Sequence, residues 1–211
     1  MILTHGANSL AKGDSNFVKI GGRKYPVVKI GNQVWMAENL DLKLNGIAIG
    51  ASGVPTTPSA WYYNNDEATY GANGNKYGLL YNWYSVGIIT QALSDGWRVP
   101  TSNDFNTLGE YVGGILDAGT KLKSTSGWEP LPNYPSPNGT DDYGFNGIPS
   151  GIRVSKGFNH ATHYAFFLTA TGDTNDSSKI YSATLSVNTD LDIHPEAKNY
   201  GFSIRLVKDV N

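Results

Sequence analysis

The sequence contains no cysteine. This absence excludes disulfide bonds, thiolate metal sites, a cysteine nucleophile and a lipidated amino-terminal cysteine. Charge is also scarce, because only 16% of the 211 residues are charged and the net charge is −2, with no cluster of Lys and Arg. Nucleic acid is therefore not an expected partner, since its recognition depends on a basic surface.

Long apolar runs are missing as well. No stretch approaches the roughly 18 apolar residues of a membrane span, so no membrane insertion is expected. The first ten residues have neither the cationic start nor the apolar core of a secretion signal. Either a leader is absent from this sequence, or the protein leaves the cell by another route, for example in a phage virion or another surface-exposed assembly.

Glycine and aromatic residues, by contrast, are abundant. The chain has 25 Gly, 13 Tyr and 5 Trp, and 39% of its residues are hydrophobic. This composition is typical of a globular protein rich in turns and loops, and the length suits one domain with a sizeable core. Residues 1–16 are polar and weakly patterned, which predicts an N-terminal arm or attachment segment. Residues 17–211 are predicted to form the domain itself.

Local patterns predict the main elements. Two β-rich runs, 17–20 and 25–30, flank Gly21-Gly22 and predict a hairpin. Thr101 is a good helix N-cap, with Asp104 at the third helical position as in a capping box. The helix predicted after it carries apolar residues at helical spacing: Phe105, Leu108, Val112 and Ile115.

Three strand-like runs follow at 164–170, 180–187 and 202–207, whereas 127–151 and 188–199 have the composition of loops. The sum is an α+β fold in which one or two helices pack against a short antiparallel sheet with long loops.

Six blocks of sequence resemble one known family. They are residues 30–40, 77–84, 96–101, 143–145, 149–151 and 201–205, and they include Gly96-Trp97-Arg98-Val99-Pro100-Thr101 and Gly201-Phe202-Ser203-Ile204-Arg205. In this order they resemble the Fibrobacter succinogenes major paralogous domain, a family common in Bacteroidetes and their phages. The resemblance extends from about residue 17 to residue 209.

That resemblance implies a C-type-lectin-like fold, which the family shares with the variable proteins of diversity-generating retroelements. It implies that blocks 96–101 and 201–205 are scaffold, and that the segment before the last strand is a display surface. It also leaves room for a homo-oligomer, because related phage variable proteins are often oligomeric.

Residues 159–199 are rich in Asn, Asp, Thr, Ser, His and Tyr. Tyr supplies contact area with few torsions, and Ser, Asn and Asp supply adaptable hydrogen bonds, as in antibody loops. Retroelement mutagenesis of adenines would produce the same residue set, although ordinary surface loops share this composition. Mutations clustered in this segment across isolates would distinguish the two. The predicted ligand contacts are His160, His163, Tyr164, Phe166, Asn175, Tyr181, Asn188, Asp190 and Asp192.

Strand geometry refines this prediction, because alternate residues on a strand face opposite ways. Tyr164 and Phe166 are predicted to face the ligand, and Ala165 and Phe167 to face the core. Arg98 and Arg205 are predicted to pair with a buried carboxylate or with carbonyl groups, and Glu38 is the proposed carboxylate for one of them.

No metal or cofactor is expected. His160 and His163 are three residues apart, but the segment lacks helical character and no carboxylate recurs at ligand spacing. Residues 173–176 resemble the start of an EF-hand loop but lack its later Gly and Glu, so only an incidental structural calcium stays open. The sequence has no catalytic motif, and the adjacent Asp141 and Asp142 are more typical of a turn than of a glycosidase pair.

These observations predict a non-catalytic ligand-binding protein. The expected role is that of a phage or prophage receptor-binding protein, diversified by a retroelement, that recognises a bacterial surface protein or glycan. A bacterial cell-surface or fimbrial adhesin module is the alternative. A third class, a carbohydrate-active enzyme, would depend on Asp141 and Asp142.

Overall fold

The structure is a computed structural model that describes residues 16–71, 77–134 and 137–210. The N-terminal arm predicted at residues 1–16 lies outside these ranges except for Asn16. The described strands are β1 (Phe17–Ile20), β2 (Arg23–Ile30), β3 (Gln33–Met36), β4 (Ala48–Ile49), β5 (Ser59–Trp61), β6 (Leu80–Tyr81), β7 (Ser150–Val154), β8 (Gly157–Ala161), β9 (Ala165–Gly172), β10 (Lys179–Leu185), β11 (Leu191–Ala197) and β12 (Val207–Asp209). The described α-helices are α1 (Glu67–Tyr70), α2 (Val86–Gln91), α3 (Ser102–Tyr111) and α4 (Ile115–Leu122).

The strands form three sheets. One has the order β1-β2-β3-β12, the second β11-β10-β9-β7-β8, and the third β4-β5-β6. The pairs β4–β5 and β7–β9 are parallel, and the other pairs are antiparallel. The predicted hairpin at the start of the chain is confirmed as β1–β2, and Gly21 and Gly22 make its turn with φ of 56° and 87°. Two positive φ angles explain why both turn residues are glycine.

The prediction of an α+β, C-type-lectin-like fold with one short antiparallel sheet is wrong. The protein is mostly β, with 35% strand and 18% helix, and several curled sheets form half-barrels. Strands of two or three residues, such as β4, β5 and β6, are too short to show a period of two in the sequence. β11 was missed for another reason: its Asp, His, Pro and Glu are typical of a loop, and Pro195 is tolerated there because β11 lies at a sheet edge.

Residues 201–207, here called the connecting segment, join all three sheets. Gly201 exchanges two backbone hydrogen bonds with Arg153 of β7, at 2.8 and 3.0 Å. Phe202 does the same with Tyr81 of β6, at 2.7 and 2.9 Å. Val207 then begins β12, which pairs with β3. Only Val207 of the predicted strand 202–207 therefore belongs to a regular strand.

Two apolar clusters fill the interior. The first gathers buried side chains from the connecting segment and from the first and third sheets, among them Tyr25, Tyr81 and Phe202. The second is built around Trp35, whose ring centroid lies 4.9 Å from that of Phe105. Because Phe105 is on α3, this cluster attaches the helix to the sheets.

The predicted start of α3 is confirmed. The Thr101 hydroxyl accepts from the Asp104 backbone N–H at 3.2 Å, and Asp104 Oδ2 accepts from the Thr101 N–H at 2.7 Å. Asp104 also binds Arg98 and accepts from Gln33 Nε2 at 3.1 Å. The helix ends at Tyr111, and Ile115 starts α4 rather than continuing α3.

Arg205 is fully buried and is held by uncharged acceptors. Its Nε donates to Asn39 Oδ1 at 2.6 Å, and its Nη atoms donate to the carbonyl oxygens of Met36, Phe145 and Asn146. Burial lowers the pKa of this guanidinium to about 9. The predicted pairing with carbonyl groups is confirmed. Glu38 forms a salt bridge with Arg23 at 3.0 Å, and its charge also acts on Arg205.

No helix among the described residues is long and apolar enough to cross a membrane.

Candidate ligand-binding groove

The five-stranded sheet aligns side chains from β9, β10 and β11 in rows. Thr184 of β10 pairs with Phe166 on one side and with Asp192 on the other. Because directly paired residues of antiparallel strands point to the same face, these three side chains form one row. The opposite face, which includes Ala165 and Phe167, packs into the second apolar cluster. The face of Thr184 packs into the first apolar cluster at Phe166 and Leu168 and is open to the surface only beyond them.

The open part of this face holds a groove with a volume of about 380 Å³. It is lined by His160, Tyr164, Phe166, Thr184, Ser186, Asn188, Asp190, Asp192, His194 and Glu196. Six of the nine predicted ligand contacts are in this lining: His160, Tyr164, Phe166, Asn188, Asp190 and Asp192.

Aromatic rings form one part of the groove. The Tyr164 and Phe166 rings are stacked, with centroids 5.6 Å apart and an interplanar angle of 19°. His160 lies 5.0 Å from Tyr164, and His194 lies 6.3 Å from Phe166. Phe166 is only 7% exposed and forms the floor, whereas Tyr164 is half-buried and His160 is exposed. The aromatic side chains of the groove therefore lie at different depths, with Phe166 the most buried and His160 the most exposed.

Carboxylates line the other side. Asp192 Oδ2 lies 3.0 Å from His194 Nδ1, and Glu196 Oε1 lies 3.3 Å from His194 Nε2. The hydrogen bond to Glu196 is the largest cause that raises the pKa of His194, followed by its burial, which opposes the increase, and by the charges of Asp192 and Glu196. Asp190 adds a third carboxylate to the lining.

His194 and Glu196 were absent from the predicted contacts. Asp190, Asp192, His194 and Glu196 recur every second residue, which is the signal of one strand face. Because residues 188–199 were predicted to form a loop, this alternation was not interpreted as a strand.

Thr184 occupies the centre of the groove floor. It is 4% exposed, and its Oγ1 is buried without a hydrogen-bond partner among the described residues. Buried hydroxyl groups usually have a partner, because an unsatisfied one costs about 1–3 kcal/mol. The hydroxyl therefore has unused hydrogen-bonding capacity beneath the surface of the groove.

Lys123 supports the groove rim from below. This lysine is 2% exposed, and its Nζ donates to the carbonyl oxygens of Ser186 at 2.9 Å and Asn188 at 2.8 Å. Nζ also lies 5.1 Å from the centroid of the Trp128 ring. Burial lowers the pKa of Lys123 to about 8. These two hydrogen bonds from the buried amine hold the backbone in place just after the end of β10.

Three predicted contacts lie elsewhere. Tyr181 projects from the opposite face of β10, two positions from the buried Ala183. Asn175 is exposed in the turn after β9, where its backbone N–H donates to Asp173 Oδ1 at 2.8 Å. His163 lies in the turn before β9, with Nδ1 3.2 Å from the Thr162 hydroxyl.

The sequence also matches a model of a protein family. The model of the Fibrobacter succinogenes major domain matches residues 28–208. The chain belongs to this family. The matched range contains the whole groove and the connecting segment. No curated protein and no solved structure matches the chain.

This Fibrobacter succinogenes major domain has a second cavity beside the groove, of about 490 Å³. The two cavities share Asn188 and Asp190. Leu116 and Tyr134 line the second cavity and are 77% and 41% exposed. Large apolar side chains with this exposure extend the surface that a ligand in the groove would meet.

Several of the acidic residues considered as metal ligands or catalytic groups accept hydrogen bonds within their own turns. In the part of the chain that the structure describes, no group of three or more His, Asp or Glu is arranged to hold a metal ion. Asp176 Oδ1 accepts from the Ser178 backbone N–H at 3.0 Å, which is ordinary turn chemistry. Asp141 Oδ1 accepts from the Asn146 N–H at 2.7 Å, and Asp141 itself has a φ of 48°.

Proposed function

We propose that this chain is a non-catalytic ligand-binding domain and that the groove over β9, β10 and β11 is its binding surface. In this proposal it acts as a receptor-binding protein of a phage or prophage and recognises a bacterial surface protein or glycan. The supporting observation is that stacked rings and three carboxylates line one groove with Thr184, whose hydroxyl has no hydrogen-bond partner among the described residues.

The two faces of the sheet support a display role. Ala165 and Phe167 are fully buried on one face, whereas Tyr164 and Asp192 belong to the groove on the other. The exposed side chains of the groove, such as Asp192, can therefore change without opening a cavity in the core, whereas Phe166 belongs to the first apolar cluster. This separation is what retroelement diversification of residues 159–199 would require.

Binding to intact cells tests the proposal. Fluorescently labelled protein is incubated with cells of a panel of Bacteroidetes strains, and bound fluorescence is measured by flow cytometry. The groove variant carries Tyr164→Ala with Asn188→Ala. The matched control carries the same two changes outside the groove, Tyr181→Ala with Asn175→Ala.

We expect the groove variant to lose at least about tenfold in affinity, because aromatic residues at the centre of an interface commonly contribute 2 kcal/mol or more. The control should bind as the parent does, provided that both variants retain a cooperative thermal transition. Equal binding by the groove variant and the parent would refute the groove as the binding surface.

A further inference from the structure

We propose that the groove binds a cationic side chain, the ammonium of lysine or the guanidinium of arginine, presented by a peptide segment of a bacterial surface protein. This inference rests on the proposed function, because it names the chemistry of the ligand for the same groove.

Charge in the groove favours a cation. Asp190, Asp192 and Glu196 supply three carboxylates, and no Lys or Arg is among the ten lining residues. His194 supplies one positive charge when protonated, which leaves an excess of two negative charges. Lys123 lies beneath the rim and its charge acts on Asp190, but its Nζ donates to two carbonyl oxygens. The groove therefore keeps unpaired negative charge.

The aromatic rings of the groove differ from other rings of the protein in their contacts with Lys and Arg. Elsewhere the protein places its own cations over rings: Arg153 lies 4.0 Å from the Trp61 centroid, and Lys198 lies 4.2 Å from that of Trp83. In the described residues, no Lys or Arg covers Tyr164 or Phe166. A cation over an aromatic face is attracted by the negative charge of the ring face, and the attraction is stronger when water is excluded.

The hydroxyl of Thr184, which can accept as well as donate, is an independent sign of a missing hydrogen-bond partner. It is directly opposite Asp192 in the sheet register and has no partner among the described residues. An ammonium group has three donors and no acceptor. A single ammonium in the groove would bind a carboxylate oxygen with its carbon chain against the rings, and a small movement of the side chains over Thr184 would bring this buried hydroxyl within its reach.

A synthetic peptide tests the inference. A fluorescein-labelled peptide of six lysines is titrated with the protein, and its anisotropy is followed at 20 and 150 mM NaCl. The comparison probe is the same peptide with every Nε acetylated, which keeps the length and removes the charge. The variant is Asp190→Asn with Asp192→Asn. The charge-matched control is Asp95→Asn with Glu110→Gln, outside the groove.

We expect the lysine peptide to bind the parent and the control alike. Binding should weaken at least about tenfold in the Asp190→Asn, Asp192→Asn variant, with the acetylated peptide, and as salt screens the pair. Equal weakening in both variants would show diffuse attraction to the whole protein and would overturn the inference. So would retention of affinity by the acetylated peptide, or binding of a glucosamine oligomer in place of the lysine peptide.

Cell binding separates this inference from the proposed function. If the Tyr164→Ala, Asn188→Ala variant fails to bind cells but the Asp190→Asn, Asp192→Asn variant binds normally, the groove is a binding surface without a cation site. If both variants bind as the parent does, the inference and the proposed function fail together.

Discussion

At the scale of single residues, buried polar groups decide how firmly the scaffold is held. Arg205 has no carboxylate in hydrogen-bond contact, and Asn39 with three backbone carbonyls takes up its donors. The sequence predicted that Arg205 would be a structural arginine, because it lies between apolar residues. It could not identify Asn39, which is 166 positions away. Partners at such a distance are set by the assembled sheets and leave no local pattern.

Arg205→Met should destabilise the protein by about 3–5 kcal/mol, because it leaves several buried acceptors without a donor. Urea unfolding followed by tryptophan fluorescence measures the change. The control is Lys43→Met, which removes an exposed ion pair with Glu67 and should cost no more than about 1 kcal/mol. A loss of similar size in both variants would contradict the structural role given to Arg205.

His194 should make stability depend on pH. Its folded-state pKa is raised, so its contribution is fully present below the unfolded pKa of about 6.5 and is lost as pH rises through the folded value. Phe166 and Ser182, which face it from β9 and β10, carry no charge. The parent should therefore exceed His194→Gln in free energy of unfolding by more at pH 6 than at pH 9.

Chemical denaturation of both proteins at the two pH values measures this difference. Glu196→Gln provides the matched check, because Glu196 is the largest cause of the raised pKa of His194. With that carboxylate removed, the pH dependence contributed by His194 should shrink. An identical difference at pH 6 and pH 9 would contradict the His194 assignment.

At the scale of elements, the strands and helices with a strong local pattern in the sequence were predicted, and those without one were missed. The β1–β2 hairpin and the start of α3 were predicted because a Gly-Gly turn and a capping box act within a few residues. β9 and β10 were also found, as apolar runs. β7, β8 and β11 were missed, since polar residues and a proline make them resemble loops. The groove was predicted only in part for the same reason, because the missed residues His194 and Glu196 belong to β11.

Thr101→Ala should destabilise the protein by about 1 kcal/mol, because it removes the side-chain acceptor of the N-cap. Thermal unfolding measured by circular dichroism would report the change. Thr101→Ser keeps the hydroxyl and should restore most of the stability. Thr107→Ala, on the exposed side of the same helix, should change stability by less than about 0.5 kcal/mol. If Thr107→Ala cost as much as Thr101→Ala, the cap would not be the cause.

At the scale of the whole molecule, the fold could not be predicted from its parts. Nearly every strand is short, and the three sheets are joined by residues 201–207, whose bonds reach β7, β6, β9 and β3. No periodicity in the sequence encodes which sheets one segment will join. The single-sheet prediction failed at this scale, although several of its strands exist.

The connecting segment also bears on how the protein is made. A chain leaves the ribosome N-terminus first, so β3 and β6 are synthesised long before Val207 and Phe202, their partners. Contacts between residues so far apart along the chain slow folding. The three sheets can be joined only after residues 201–207 have been synthesised, and until then the strand edges that pair with them stay open.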